Sequence, residues 1–179
     1  MKSIKTLATI TLLCLAMLSM HAFAQGPQKI SDSEVASVAV VANQIDIDYA
    51  MIAKRKSKNA ELLRFAETMA KDHQSVIDQA VALVTKLGVT PKDNAVSKSL
   101  QSGAVKTKKM LNSKSGTTFN KAYIDNEVAY HKAVIATVET VLIPNARNKE
   151  LKDLLQNVMP LLKTHLEHAK MVQKAYHEK

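Results

Sequence analysis

Residues 62–87, LLRFAETMAKDHQSVIDQAVALVTKL, decide the fold. Leu62, Ala66, Met69, His73, Val76, Ala80, Leu83 and Leu87 recur in unbroken steps of three and four. That rhythm places them on one stripe of an α-helix. Asn59 stands just before the stripe, and Gly88 and Pro91 follow it, the residue types that start and stop helices. One member is out of character. His73 is titratable, and an apolar stripe points into a core where water cannot satisfy it.

Working outward, the same periodicity covers most of the chain. Ser31 or Ser33 caps a first helix with Glu34 in its opening turn. Lys54-Arg55-Lys56 suits its C-terminal, negative dipole end. This helix carries two stripes, Val38, Val41, Ile45, Asp48, Ile52 and Val35, Ala39, Ala42, Asp46, Tyr49, Ala53. Ser115-Gly116-Thr117-Thr118 opens another long helix with the stripe Ile124, Glu127, His131, Ile135, Val138, Leu142, stopped by Pro144. A last helix spans about residues 150–176, with Leu151, Leu154, Val158, Leu161, His165, His168 and Val172 on its stripe. Pro160 inside it predicts a kink, because proline removes one backbone bond and strands the Gln156 carbonyl. Between residues 92 and 118 the pattern weakens. A helix from about Asn94 to Leu111 contains Gly103 and many lysines, and reads as a crossover carrying a short, exposed helix. Glycine is scarce and no alternating strand pattern occurs. The expected fold is all-α: a four-helix bundle with a long crossover, bearing a short extra helix, between its second and third long helices.

Lys2 and Lys5 precede an apolar run from Leu7 to Met20, and Ala22-Phe23-Ala24 forms a small-x-small cleavage site. Residues 1–24 therefore read as a secretory signal peptide and 25–179 as one domain. The apolar run is shorter than the ~20 residues of a membrane span, so no transmembrane anchor is expected after cleavage. The expected location is the periplasm, free or associated with the outer membrane. The single cysteine, Cys14, falls in the leader. The remaining chain thus has no disulfide, thiol nucleophile or c-type haem attachment. Net charge is +9, two units of it from the leader lysines. Lys106, Lys108, Lys109 and Lys114 form the densest basic patch. It reads as a solvated face capable of weak association with anionic envelope surfaces. No nucleic-acid module appears, so nucleic acid is not an expected partner. Neither G-x-S-x-G, H-E-x-x-H nor a phosphate-cradling glycine loop is present, and nothing in the chain points to an enzyme.

His73, His131 and His165 occupy apolar stripes on three different helices. Their heights follow from the helical rise. About a first loop centred near Lys58, Asp46 and His73 differ by about 4.5 Å in height. About a second loop centred on Arg147, His131 and His165 differ by about 3 Å, and Glu127 is level with His168. The candidate metal ligands are His73, His131, His165, Glu127, Asp46, Asp48 and His168. Imidazole with carboxylate suits a transition metal such as Fe, Zn or Cu rather than Mg or Ca. The methionines beyond the leader are scattered, which gives little support to a copper–thioether carrier. The structural alternative is a buried His–carboxylate network, with hydroxyls from Tyr49, Tyr123 and Tyr130, that fixes one bundle register and binds nothing. Asp72 is either a solvated neighbour or a partner for a histidine.

The segment Phe65-Ala66-Glu67-Thr68-Met69-Ala70-Lys71-Asp72-His73 resembles the "FA…M…DH" signature of a bacterial family of exported ferritin-like proteins. That family is domain of unknown function 4142, the predicted outer membrane protein type. Gly116, Phe119, Asn120, Tyr123 and His131 are similar to its second element, and Pro160, Leu161 and His165 to its third. The elements come in the right order across roughly residues 32–177. The resemblance implies a ferritin-like four-helix bundle and carries no established activity. Two departures matter. The family usually has glutamate on the first helix where this chain has Asp46. No Asp or Glu here is followed three positions later by His, so the Glu-x-x-His pairs of ferritin di-iron sites are missing, and their chemistry is not carried over. Two functions remain open. One is a periplasmic metal-binding protein for storage, buffering or weak redox chemistry. The other is a non-enzymatic structural or interaction protein of the envelope whose polar network only specifies the fold.

Overall fold

The computed structural model describes residues 29–177. The expected signal peptide, residues 1–24, lies outside the described residues. The described elements are all helical: α1 (Asp32–Lys56), α2 (Ala60–Lys86), α3 (Ala95–Asn112), α4 (Gly116–Thr137), a π-helical turn (Val138–Leu142), α5 (Ile143–Asn145) and α6 (Lys149–His177). α1 packs chiefly on α2, and α4 on α6, as two antiparallel hairpins. α2 meets α6 and α1 meets α4 to close the bundle, and α3 lies along α1. This is the expected four-helix bundle with its crossover helix.

Local chemistry sets the boundaries. The Ser31 N–H donates to Glu34 Oε2 at 2.8 Å, closing a capping box over the start of α1. Asn59 Oδ1 accepts from the Leu62 N–H at 3.0 Å to cap α2. Gly88, with φ of 63°, ends α2 in the left-handed conformation that glycine adopts at little steric cost.

Two features differ from the sequence reading, and a third is found where it was expected. α3 is neither short nor marginal: it has 18 residues. Ser97, Ala104 and Leu111 are buried at seven-residue spacing, a narrow stripe of mostly small residues that seats the helix on α1, while Lys98, Lys106 and Lys109 face outward and Lys108 pairs with Asp48 of α1. Pro144 does not stop the third long helix. The helix widens into the π turn, where the Ile143 N–H reaches the Val138 carbonyl five residues back, and continues to Asn145. Pro144 has no N–H for the Thr140 carbonyl and its ring crowds that site; the wider turn makes room for both. Pro160 lies inside α6, which continues on both sides of it. Pro160 and Gln156 are exposed, so solvent reaches the carbonyl that the proline strands.

The core has two halves. One is aromatic-rich, built from Tyr49, Phe65, Phe119 and Tyr123 with Leu62 and Met69. The other is aliphatic, with Val35, Val38, Leu142, Leu151 and Leu155 among its members. α1 is long and apolar enough by length and composition to cross a membrane. In the bundle it packs as a core helix, with Ile45, Tyr49 and Ile52 buried.

Candidate metal centre

Between the two halves lies a layer of ionisable residues. Asp46 from α1, His73 from α2, Glu127 and His131 from α4, and His165 from α6 are each no more than 3% exposed. Asp46 Oδ2 lies 3.3 Å from His73 Nε2 and 3.5 Å from His131 Nε2. Glu127 Oε2 lies 3.7 Å from His131 Nδ1. The His165 ring centroid is 5.1 Å from that of His73 and 5.6 Å from that of His131. One ring nitrogen from each of the three histidines lies within 4.8 Å of the other two. The same limit holds for ligand atoms of Asp46, Glu127 and His131.

Each imidazole is oriented by a bond on its far side. His73 Nδ1 meets Asn43 Oδ1 at 2.7 Å. The Asn43 amide is itself oriented, because its Nδ2 donates to the Ala39 carbonyl at 2.8 Å. His131 Nδ1 meets the Glu127 carbonyl oxygen at 2.9 Å, and His165 Nε2 meets Asp72 Oδ2 at 3.0 Å. All three partners are acceptors, so those ring nitrogens carry the protons. The nitrogens left over, His73 Nε2, His131 Nε2 and His165 Nδ1, hold lone pairs directed inward. None has a hydrogen-bond partner, and the Asp46 oxygens have none besides the Glu127 carboxyl. Buried acceptors that outnumber the donors among them are unfavourable unless a cation joins them. Two overlapping sets, His73–His131–His165 and Asp46–Glu127–His131, bring imidazole and carboxylate donors together as a transition metal requires. Bonds of ~2.1 Å in a tetrahedral site put ligand atoms about 3.4 Å apart, close to the 3.3 and 3.5 Å between Asp46 Oδ2 and the Nε2 atoms of His73 and His131.

Burial sets the protonation states. It pushes His73 down to about 3, with repulsion from His165 adding to it and Asp72 opposing. Burial also lowers His131, against the pull of Asp46. Both imidazoles are therefore neutral at neutral pH, the form that binds metal. Burial raises Asp46. It holds Glu127 well above the usual carboxylate range, with the Asp46 charge and a hydrogen bond to Asp46 adding to it. Both carboxyls are thus pushed toward the protonated form, Glu127 the more strongly.

The structure thus brings together Asp46, His73, Glu127, His131 and His165. It does not bring in Asp48 or His168. Asp48 is half-buried and accepts from Lys108 Nζ at 2.9 Å. Two residues from Asp46 is about 200° around a helix, so only one of the two can face the bundle axis. His168 packs edge-on against Phe65, with centroids 5.0 Å apart, in the aromatic half. Tyr130 donates from its hydroxyl to the Ala42 carbonyl at 2.8 Å rather than to the cluster. Sequence reading missed Asn43. It lies one turn before Asp46 on the same face, and this position was its only signal. We expect Asn43→Leu to keep the fold and weaken metal binding about 10–100-fold, the usual cost of losing the partner that orients a ligating histidine. Calorimetric titration checks this; undiminished affinity rules out the orienting role.

No curated protein matches the sequence. The family described as "Domain of unknown function (DUF4142)" matches residues 17–172. A solved structure, "CopM in the Cu(II)-bound form", superposes with a TM-score of 0.62 at 13% identity, covering 83% of this chain and 99% of that one. At that identity the likeness is one of fold.

Proposed function

The chain belongs to the DUF4142 family, and from that footing we propose that it is an exported metal-binding bundle. His73, His131, His165 and Asp46 hold one transition-metal ion, with Cu(II) the first choice. One observation carries this reading: three imidazoles from three helices each have one nitrogen bonded to an acceptor and the other buried without a hydrogen bond, and two of those free nitrogens, on His73 and His131, lie within 3.5 Å of Asp46 Oδ2. Nitrogen and oxygen donors without sulfur favour a divalent ion of intermediate softness. Among such ions Cu(II) binds most tightly to a given donor set. The Cu(II)-bound state of a protein with a similar fold supports the same choice. The leader-like residues 1–24 support export.

A specific observation also favours the structural alternative. Asp46 Oδ2 lies within 3.5 Å of two imidazole nitrogens, a spacing that a proton-bridged network has as well. Metal analysis of the purified, untagged protein without its leader separates the two. On the metal reading it carries close to one equivalent. The His131→Ala/His165→Ala variant loses the metal when assayed below its own, lowered melting temperature, where its helical content is retained. Free Cu(II) at one hundred times its dissociation constant stabilises the native state by about 2.7 kcal/mol. A metal-free protein whose melting is unmoved by Cu, Zn or Fe leaves the network reading in place.

A further inference from the structure

On the aliphatic side of the cluster the bundle axis is not filled. A cavity of about 40 Å³ begins at Asp46, His73 and His131 and runs between the long helices. It is lined on α1 back to Ala36, on α2 on to Val84, through the π turn to Leu142, and on α6 from Leu162 back to Leu151. The lining covers eleven to thirteen residues of each long helix, which at 1.5 Å per step is about 15–18 Å. Its origin is readable in the side chains. Ala36, Ala39 and Ala42 on α1 and Ala80 on α2 leave the axis thin. On the opposite side of the cluster Tyr49, Phe65, Phe119 and Tyr123 fill it. The π turn, a distortion common near functional sites, contributes Val138 and Leu142 to the lining.

The polar groups along this passage are mostly engaged. Tyr130 is bonded to the Ala42 carbonyl, and Asn43 to His73 and the Ala39 carbonyl. The unpartnered polar atoms at its head belong to Asp46, His73 and His131. His165 is outside the lining. A molecule in the passage therefore meets the cluster from the side formed by the other three.

We propose that the passage binds a small, neutral, apolar molecule of two or three atoms, of the size and polarity of dioxygen, and leads it to the metal centre. The end point rests on the metal reading above; the cavity does not. A water needs roughly 10–15 Å³ of such space, whereas an engineered cavity that takes benzene measures about 150 Å³, so this volume suits a diatomic or triatomic guest. Apolar walls offer water few partners and exclude a charged ligand, which loses its hydration on entry.

Xenon is the probe for the passage. In the metal-free protein, xenon pressure shifts the methyl NMR signals of Val76, Val138, Leu142 and Leu155 with saturation, and leaves those of Leu62, Ile124 and Val172 in place. Ala80→Leu, and independently Ala39→Leu, fill the passage and abolish the shifts. Carbon monoxide is the probe for the end point. With the bound copper reduced by ascorbate, CO association slows at least tenfold in either variant at unchanged copper content. Absence of saturable xenon shifts in the wild-type protein overturns the proposal. Xenon uptake with an unchanged CO rate in both variants overturns the passage as the route to the metal. A protein that takes up xenon but no copper overturns the metal reading and, with it, the end point, while the guest site stands.

Discussion

Replacing Asp46, Glu127 and His131 together by leucine raises the melting temperature of the metal-free protein and abolishes metal binding. The three side chains are 0, 0 and 1% exposed, so folding strips them of water. Without a cation, the attraction available is the approach of Asp46 to His73 at 3.3 Å and to His131 at 3.5 Å, that of Glu127 to His131 at 3.7 Å, and a hydrogen bond between the two carboxyls. Exchanging such a buried polar set for apolar residues of similar volume is neutral or stabilises by about 1–4 kcal/mol. For a domain of this size each kcal/mol moves the midpoint by roughly 2–4 °C. The single change His131→Ala acts in the opposite direction. It leaves a void and a buried, less-compensated Asp46 carboxylate, and costs about 3–5 kcal/mol. Thermal melts of the three proteins in the presence of chelator decide the matter. If the triple variant melts below the wild type, the cluster holds the fold together and the network reading wins. If it melts above, the cluster is a stability cost that selection has kept for another reason, and ion binding supplies one.

Glu127→Gln raises metal-free stability in a pH-dependent way. In the unfolded chain Glu127 titrates near the ordinary glutamate value of 4.5, and in the bundle it sits well above that. Below about pH 4.5 the group is protonated in both states and makes no difference. As pH rises, the unfolded chain releases its proton while the native state retains it. Native stability is therefore lost with rising pH until the folded value is passed. Glutamine keeps the shape and never ionises, so the variant escapes this loss. The gain of Glu127→Gln over wild type is close to zero at pH 4 and grows toward neutral pH, reaching about 1–3 kcal/mol. Burial also depresses His73 and His131, which destabilises both proteins alike as pH falls, so the difference between the two isolates Glu127. Paired melts at pH 4, 5.5 and 7 read it directly; a constant offset across that range shows that Glu127 is not held up by its surroundings.

The helices were legible because burial on one side of a helix writes a 3.6-residue rhythm into the sequence. α2 shows it best: Leu62, Met69 and His73 all face the core. α3 was under-read for the converse reason. Its buried residues Ser97, Ala104 and Leu111 include only one large apolar side chain, so the stripe barely rises above its lysines. The π turn was illegible, since Pro144 announces a disturbance and not how the chain absorbs it. In the cluster, counting residues from the loops placed Asp46 beside His73 and His131 beside His165. It could not choose between Asp46 and Asp48, because each sits on an apolar stripe of α1 and only the packing of α2 and α4 selects one. The outward partners were harder still. Asn43 is an ordinary polar residue until His73 is beside it, thirty residues away in sequence. Asp72 neighbours His73 in the chain yet serves His165 from another helix.

The cluster is divided between the hairpins. α1 and α2 contribute Asp46 and His73, whereas α4 and α6 contribute Glu127, His131 and His165. Each hairpin closes through a short loop and forms from local contacts, while docking one on the other requires contacts between residues far apart in the chain, which is the slower event. A half-assembled chain therefore offers an ion an incomplete set of ligands, and the full set exists only after docking. An ion held there acts on the native state and not on the barrier that precedes it. It prolongs the lifetime of the folded bundle by slowing its opening, and leaves the speed of its formation unchanged.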